Sequence, residues 1–204
     1  MIGAGTLAAG NDVTGRVNRA VAVLDSMTTD KGAVKAEQVA KADCVAVIPG
    51  FKKGAAVVGL GYGRGFISCR KDGAWSAPAA VTLESGSLGV QVGGEAIDIV
   101  ILSLDQSRRA KLLSERFAVG TDASAAWGNG KTAHEDPNAR ILFFGHTKGI
   151  FGGFGLDGAT LSRDESGDKA LYGKSVSNSE IVASSDTPAV AQALIAKLSA
   201  VAKP

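Results

Sequence analysis

The sequence predicts an α+β domain: a strongly bent, mainly antiparallel β-sheet, either barrel-like or a two-layer roll, with flanking helices near the N-terminus, in the middle and at the C-terminus. Three observations indicate this fold class. Segments with helical apolar spacing lie at both ends of the chain, short apolar segments bounded by glycines fill the region between them, and "KDGAW" carries an Asp-Gly pair typical of a hairpin turn. With 204 residues, 45% of them hydrophobic, the chain has the length and the apolar content of one domain.

The first helix is predicted over residues 12–28, where Val, Ala, Leu and Met recur at helical intervals. Asn11 or Asp12 is the expected N-cap, because their side-chain oxygens can accept from free backbone N–H groups of the first turn. Two arginines lie off the apolar stripe. A second, shorter helix is expected at about residues 34–41.

Two more helices are expected further along the chain. The stretch "DQSRRAKLLSERF" predicts the middle helix, with Asp105 as its N-cap. Three of its residues are expected to face inward: Ala110, Leu113 and Phe117. The stretch "SSDTPAVAQALIAKLSAVAKP" predicts the last helix, with Asp186 as N-cap and Pro188 in the first turn.

The whole chain, residues 1–204, is therefore expected to form a single domain. We predict flexibility for residues 1–11, N-terminal helices in 12–41, a β-rich core with one helix in 42–183 and a C-terminal helix in 185–203.

The stretch "PGFKKGAAVVGLGYGRGF", from Pro49 to Phe66, has a glycine at every second position from Gly59 to Gly65. A period of two is that of a β-strand, so one strand face is bare backbone and another element is expected to pack very close to it. The spacing fits neither the dinucleotide fingerprint, whose third glycine is missing, nor the phosphate loop, whose lysine and hydroxyl are missing. On these residues alone, a tightly packed sheet beside two solvated lysines is the simpler interpretation.

A second stretch, "FFGHTKGIFGGFGLDGATLS", is similar to this one if a single residue is dropped. Lys53-Gly54 then matches Lys148-Gly149, and each pair precedes a strand with a G-x-G pattern. This similarity predicts two related hairpins, with chance similarity between glycine-rich strands as the alternative.

The two cysteines, Cys44 and Cys69, both lie in apolar strand-like runs. Two cysteines are too few for a disulfide scaffold, and their spacing is wrong for zinc. Buried free thiols are the expected state, and a single bridge in an oxidising compartment is the alternative.

Charge and hydropathy exclude some functions. The formal net charge of +2 is too small for a dedicated nucleic-acid-binding protein. Residues 44–71 contain five basic residues and no acidic one. This predicts a positive end that could meet an anionic surface, or else an ordinary solvated face. No run of about 18 apolar residues is present, so no transmembrane segment is expected.

Signatures of catalysis and of metal binding are also missing from the sequence. The histidines, His134 and His146, are too few for most catalytic zinc sites, and "HEDPN" lacks the second histidine of H-E-x-x-H. The stretch "GSLG" is one residue short of a nucleophile elbow. We therefore predict that the protein is not an enzyme and uses no cofactor.

The chain resembles the SYLF domain family. The resemblance is carried by "ADCVAVIPGFKKGAAVVGLGYGRGFISCRKDGAWSAPAAVTLESGSLGVQVGGEAIDIVIL", "FAVGTDASAAWG" and "HTKGIFGGFGLDGATLS", and it covers about residues 34–180. It implies a non-enzymatic module that binds anionic phospholipids, phosphoinositides in the eukaryotic members, with help from a basic amphipathic helix near the N-terminus. Some members bind actin filaments. This chain is similar to the stand-alone bacterial branch, and its first helix has only two arginines.

The resemblance implies peripheral binding of anionic phospholipid, in which basic side chains meet the phosphates. The residues expected to do so are Lys52, Lys53 and Lys148 in the two Lys-Gly turns, Arg16 and Arg19 on the first helix as a competing site, and Arg64. The alternative is a structural or protein-interaction module of the bacterial cell envelope whose lipid contact is incidental; the sequence does not identify a protein partner. The expected location is the bacterial envelope or periplasm, as a lipoprotein or after a signal sequence absent from this chain; the alternative is a cytoplasmic, membrane-peripheral protein.

Overall fold

The computed structural model describes residues 12–29, 32–53, 59–87, 96–118, 140–147 and 159–202. Helices flank an antiparallel sheet that curls into a half-barrel, so the predicted fold class is confirmed. The strands are β1 (Cys44–Lys53), β2 (Gly59–Lys71), β3 (Ala74–Trp75), β4 (Ala79–Ser87), β5 (Ala96–Ser103), β6 (Arg116–Ala118), β7 (Ile141–Thr147) and β8 (Ala159–Arg163). The helices are α1 (Val13–Met27), α2 (Ala36–Lys41), α3 (Arg109–Leu112), α4 (Glu165–Tyr172), α5 (Asn178–Ala183) and α6 (Gln192–Val201).

The strands follow the order β6-β8-β4-β2-β1-β5-β7, and β3 pairs with β2 beside this path. All of these pairings are antiparallel. The turn from β2 to β3 is the predicted Asp-Gly turn. Asp72 has φ = 50° and Gly73 has φ = 82°, and a two-residue hairpin turn of type I′ requires such positive values at both central positions.

Both faces of the sheet are buried, and β1 contributes to each by alternation from Cys44 to Ile48. Val45 and Val47 belong to a cluster shared with α1, α2 and α6, on what we call the α1 face. Ala46 and Ile48 belong to a cluster shared with residues next to α3 and within α5, on what we call the second face. Burial of successive side chains on opposite faces explains why β1 is almost continuously apolar rather than alternating in polarity.

Helix α1 lies where it was predicted and packs its apolar stripe on the α1 face. Val17, Ala20 and Leu24 are completely buried. Asp12 is the N-cap, and its carboxylate accepts a hydrogen bond of 2.7 Å from the Gly15 N–H. The helix therefore begins next to the sheet with its first turn fixed by a side-chain cap.

The predicted close approach to the glycine strand is confirmed on the second face. Three glycines of β2 are involved there, which we call the glycine stripe: Gly61, Gly63 and Gly65. A Cβ on Gly61 would lie 2.3 Å from Cζ of Phe51, and a Cβ on Gly65 would lie 1.9 Å from the Val47 carbonyl oxygen. Since both separations are far below van der Waals contact, β1 occupies the space that β2 side chains would need.

The cysteines correct one expectation. Cys44 and Cys69 are buried as predicted, with exposed fractions of 1% and 0%. They stand directly opposite each other in the β1–β2 register and are joined by a disulfide. The expected free thiols are therefore wrong. Two cysteines facing each other across paired strands have the same sequence pattern as two separately buried thiols, so the sequence left the alternatives open.

The helices differ from their predicted bounds in the second half of the chain. A 3-10 turn over Gln106–Arg108, capped by Asp105 as expected, leads into a single turn of α3, and Phe117 belongs to β6. Ala110 is exposed, whereas Leu113 and Phe117 are buried. Helices α4 and α5 were not predicted. The last helix is preceded by a 3-10 turn that follows Pro188, so Asp186 is not its cap.

The second predicted hairpin does not form between the described strands. Strand β7 pairs with β5, whereas β8 pairs with β4 and β6. The two strands thus lie toward opposite edges of the sheet. Residues 148–158, which carry the Lys-Gly turn and the G-x-G pattern of this prediction, lie outside the described residues. The predicted flexible segment 1–11 lies outside the described residues.

Candidate functional site

A cleft of about 540 Å³ opens where the N-terminal end of α1 meets β1, β2 and the start of β5. Four of the six predicted site residues line it: Arg16, Arg19, Lys52 and Arg64. The other lining residues are Asp12, Pro49, Gly50, Tyr62, Gly63 and Ala96. The helix arginines and the turn lysine, which the sequence presented as competing sites, therefore belong to one site.

Two of the arginines are held by a single buried aspartate. Asp164, directly before α4, accepts from Nη1 of Arg16 at 2.7 Å. It also accepts from Nε and Nη2 of Arg64, at 2.8 and 2.7 Å. Both of its oxygens accept, so the Arg64 guanidinium is held by two hydrogen bonds in a fixed orientation.

The charge state of Asp164 follows from these contacts. Burial would raise its pKa, but hydrogen bonds from Arg64, the Gly167 N–H, Ser166 and Arg16 outweigh burial and lower the pKa to about 2. The same bond from Arg64 to Asp164 is the largest cause of the raised pKa of Arg64. Aspartate and arginine thus stay charged at every pH near neutrality.

The structure places Arg16 at the base of the cleft and not on the free side of α1. The residue is only 5% exposed, and its guanidinium carbon lies 5.6 Å from the centre of the Phe66 ring. The buried face of α1 is therefore wider than its apolar residues alone indicate and includes Arg16. Asp164 and Phe66 together provide partners for this buried guanidinium. Arg19, one turn further along, is exposed.

A β-bulge in β1 aims Lys52 into the cleft. The register of β1 shifts by one residue against β2 between Val47 and Lys52 and against β5 between Ile48 and Phe51. Pro49 and Gly50 lie within both intervals. Gly50 has φ = 58°, and its N–H donates to the Asp98 carboxylate at 2.8 Å. The extra residue reverses the alternation of the strand, so that Phe51 enters the second face and Lys52 lies on the α1 face.

Arg19 and Lys52 are the available cations of the cleft. Both are exposed, and neither side chain has an ion pair or a hydrogen bond with any residue in the described ranges. Tyr62, which was not predicted, lies beside them with 48% of its surface exposed, and it is close enough to Arg64 to influence the pKa of that arginine. Its strand period could have revealed it, since Tyr62 and Arg64 are two residues apart on one strand face.

The other two predicted residues are not assessed by the structure. Lys148 lies outside the described residues. Lys53 pairs through its backbone with Gly61 at the end of β1, and its side chain is outside the described part of the chain.

A second buried carboxylate stands behind the site. Asp168 of α4 is completely buried and accepts from the Ala80 N–H at 2.7 Å. Its other oxygen lies 3.5 Å from Nε of Arg163. Burial raises the pKa of Asp168 to about 7, although the Ala80 N–H and Arg163 act in the opposite direction. This residue fixes α4, and with it Asp164, against β4.

The described residues contain no group of three or more His, Cys, Asp or Glu side chains placed to hold a metal ion. None of the described helices has the length and apolarity needed to cross a membrane.

Comparison with known proteins identifies relatives. The model of the Ysc84 family, described as "Las17-binding protein actin regulator", matches residues 84–201. SH3 domain-containing YSC84-like protein 1 of Homo sapiens is 29% identical over 168 residues, which are 78% of this chain and 48% of the human protein. SH3 domain-containing protein PJ696.02 of Schizosaccharomyces pombe is 32% identical over 124 residues, 54% of this chain and 28% of that protein. Protein YSC84 of Saccharomyces cerevisiae is 27% identical over 129 residues, 59% of this chain and 28% of that protein.

The chain spans less than half the length of each of these three relatives. The matched region begins within β4 and ends with α6, and so it contains Asp164 and Asp168 but not α1 or the β1–β2 pair.

Proposed function

The chain belongs to the Ysc84 family of SYLF-domain proteins, and on that premise we propose that it is a non-enzymatic module that binds membranes containing anionic phospholipids. The observation that carries the proposal is the cleft, where Arg16, Arg19, Lys52 and Arg64 come together from α1, β1 and β2. A helix and two strands deliver positive charge to one opening, and phosphate groups are the anions that a membrane surface presents in quantity.

The cations of the cleft have different tasks in this proposal. Arg16 and Arg64 are fixed by Asp164 and give the cleft a permanent shape and charge. Arg19 and Lys52 make the contact with phosphates. A basic residue near an anionic surface contributes about 1 kcal/mol, so reversing two of them should weaken binding by more than about tenfold.

Co-sedimentation with vesicles tests the proposal. Vesicles of phosphatidylcholine alone are compared with vesicles that also contain phosphatidylglycerol, at low and at high salt. We expect binding only to the anionic vesicles, weakened by salt because exposed charges are screened. The variant Arg19→Glu with Lys52→Glu should lose this binding and keep its fold.

The matched control is Lys41→Glu with Lys111→Glu, which makes the same change of charge at the opposite end of the sheet. Both lysines are exposed. Lys41 precedes Cys44, which stands eight residues before Lys52 on β1, or roughly 25 Å along an extended strand. If the control variant loses as much binding as the cleft variant, the attraction is general and the cleft is not the binding surface.

We also propose that the domain works in an oxidising compartment, as expected for a bacterial envelope or periplasmic protein. The support is the Cys44–Cys69 disulfide, since protein disulfides persist mainly where thiols are not kept reduced. Titration of free thiols in protein isolated from its native source under alkylating conditions tests this location. Two free thiols per chain would contradict it.

A second candidate function is protein binding. The family description names Las17 binding and actin regulation, and these words support a protein partner for this chain as well. Co-sedimentation of the parent and of the cleft variant (Arg19→Glu with Lys52→Glu) with actin filaments distinguishes protein binding from membrane binding. Filament binding without binding to anionic vesicles would favour this candidate over the first.

A further inference from the structure

We infer that Asp168 and Arg163 form a proton-operated switch. While the buried carboxyl is neutral, Arg163 stays in an outer position, bonded to Glu115 and Ser175. When the carboxyl loses its proton to solvent, the guanidinium moves inward to it. The switch requires no ligand and includes neither Arg19 nor Lys52, so it goes beyond the proposed function and does not depend on it.

The inference comes from two buried polar atoms that face each other without a hydrogen bond. They are Nε of Arg163, on β8, and Oδ2 of Asp168, on α4. Neither atom has a hydrogen-bond partner among the residues that the structure describes. They lie 3.5 Å apart, whereas a charge-assisted hydrogen bond between such groups is about 2.7–2.9 Å long. A buried donor and a buried acceptor normally close such a gap, because each loses its hydration without gaining a bond.

A proton on the carboxyl accounts for the separation. Oδ1 of Asp168 accepts from the Ala80 N–H at 2.7 Å, so Oδ2 is the oxygen available for the proton. A protonated Oδ2 is a donor, and it faces the Arg163 Nε–H, which is also a donor. Loss of the proton makes Oδ2 an acceptor, and the same arrangement then favours a short contact.

Asp168 is the group in this cluster that changes its charge near neutral pH. Burial raises the pKa of Asp168 to about 7, although the Ala80 N–H and Arg163 act in the opposite direction. Asp164 stays ionised and Tyr172 stays neutral at that pH. The groups that face the carboxyl are Arg163 from β8, the Ala80 N–H from β4, Asp164 and Tyr172 from the cap and the body of α4, and, through Asp164, Arg16 from α1 and Arg64 from β2.

The outer contacts of Arg163 are weak enough to be exchanged for an inner one. Nη1 donates to Glu115 at 3.3 Å, and the Glu115 side chain is 74% exposed. Nη2 donates to the Ser175 hydroxyl at 3.1 Å, and that hydroxyl donates in turn to Glu165 at 2.6 Å. Water screens an exposed ion pair, whereas a bond to a buried carboxylate keeps its strength. Because the guanidinium is planar and rigid, inward movement of Nε draws both Nη atoms away from their surface partners.

Inward movement changes the charge of one surface. Three exposed carboxylates lie around the outer position: Glu115, Glu165 and Glu180. The pKa of Glu180 is lowered first by hydrogen bonds from Ser177 and then by Arg163 and Lys174, so Arg163 acts on this carboxylate as well. As pH rises through about 7, withdrawal of the guanidinium therefore makes this surface more acidic.

An NMR titration of the whole chain tests the switch without any substitution. The carboxyl carbon of Asp168 and the Nε–H group of Arg163 are followed from pH 5 to pH 9. We expect one shared midpoint near pH 7, with the Arg163 proton moving downfield above it because a bond to a carboxylate forms. An Arg163 signal that stays in place while Asp168 titrates, or an Asp168 signal that does not titrate in this range, would overturn the inference.

The variant Asp168→Asn places a permanent donor in the position of the protonated oxygen. Its Arg163 signal should remain at the low-pH position of the parent throughout the titration. If the signal still shifts with the midpoint of the parent, another group moves Arg163 and the inference is wrong. The titration of the parent decides the question by itself if this variant does not fold.

The variant Ser175→Ala removes one outer contact without changing a charge. Arg163 then moves inward more readily, so the midpoint of Asp168 should fall by up to about one pH unit, the equivalent of one hydrogen bond. Ser179→Ala, at an exposed serine of α5, is the matched control and should leave the midpoint unchanged. Equal midpoints in the parent and in Ser175→Ala would show that the outer and inner contacts do not compete, and the switch would then be refuted.

Discussion

The two ends of the β1–β2 pair differ in whether their charged side chains have partners within the fold. At the Cys44 end a disulfide joins the strands, Arg109 forms an ion pair with Asp43, and the guanidinium of Arg70 lies 3.9 Å from the centre of the Trp75 ring. At the Lys52 end the strands hold a bulge and the start of the glycine stripe. There Arg19 and Lys52 have no partner among the described residues.

The difference indicates a division of tasks along one hairpin. At the Cys44 end Arg109 has an acidic partner within the fold, and its pKa is raised mainly by its hydrogen bond to Asp43. Charges at the cleft end are either held in place by Asp164 or left for a ligand. The covalent and ionic contacts at the Cys44 end stabilise the strand pair whose Lys52 end forms the cleft.

The largest effect is expected from Asp164→Ala, which breaks the base of the cleft. Arg16 would remain buried without its counter-ion, and removal of one partner from a buried ion pair typically destabilises a protein by about 3–5 kcal/mol. Urea denaturation measures this change. A loss below about 1 kcal/mol would mean that Arg16 can reach solvent and that the cleft is less fixed than its contacts indicate.

The next largest loss of stability is expected at the Cys44 end of the β1–β2 pair. Cys44→Ala with Cys69→Ala removes a disulfide between residues 25 apart in sequence, and such a loop corresponds to about 3 kcal/mol of stabilisation. Thermal denaturation of the variant, and of the parent with and without reductant, measures the loss. Vesicle binding at a temperature where the variant is folded should be unchanged, and a loss of binding there would show that the two ends are coupled.

A third loss of stability, of similar size, is expected from a substitution in the glycine stripe between the two ends. Gly65→Ala would place a Cβ against the Val47 carbonyl. Because a backbone carbonyl cannot rotate away as a side chain can, overpacking should lower the free energy of unfolding by about 1–3 kcal/mol. Tyr62→Val, on the opposite face of the same strand, is the control for strand propensity. Equal melting temperatures of parent and Gly65→Ala would contradict the close packing.

Helix α1, the glycine strand and the cations could be predicted from the sequence, because each has a local sequence pattern. Helix α1 has a 3.6-residue stripe, the glycine stripe has a period of two, and Arg64 and Lys52 lie in a region without acidic residues. Their association was not predicted, since Asp164 is separated from Arg16 by 148 residues and nothing local marks the pair.

The missed features are those that local pattern cannot encode. The bulge at Gly50 changes the face of every later residue of β1, and one residue of slip is invisible in an apolar strand. Helix α4 has eight residues, two of them buried polar or glycine positions that pack on β4, so its stability comes from tertiary contacts such as Asp168 to Ala80 and not from an apolar stripe.

The two carboxylates next to α4 predict opposite responses to pH. The folded pKa of Asp164, about 2, lies below the unfolded value of about 3.9, so its stabilisation is present above pH 4 and is lost as pH falls toward 2. The folded pKa of Asp168, about 7, lies above the unfolded value, so its contribution is present below about pH 4 and is lost as pH rises through 7.

The variant Asp168→Asn tests this sign. It should flatten the fall in unfolding free energy between about pH 4 and 7 while leaving the acid limb due to Asp164 in place. Urea denaturation at several pH values measures both limbs. If the slope between pH 4 and 7 is the same in the variant and in the parent, Asp168 is ionised in the fold and Arg163 neutralises it more effectively than its burial opposes.

The smallest effect is expected from the cations that are proposed to bind. Arg19→Glu with Lys52→Glu alters two exposed side chains with no partner in the described structure, and such changes usually shift stability by no more than about 0.5 kcal/mol. Arg109→Ala at the Cys44 end is the contrasting variant, because Asp43 accepts from two nitrogens of Arg109 and would lose both hydrogen bonds. It should lower the melting temperature measurably and leave vesicle binding intact. A cleft variant that is as destabilised as Arg109→Ala would show that Arg19 and Lys52 serve the fold, and the contrast between the two ends would then disappear.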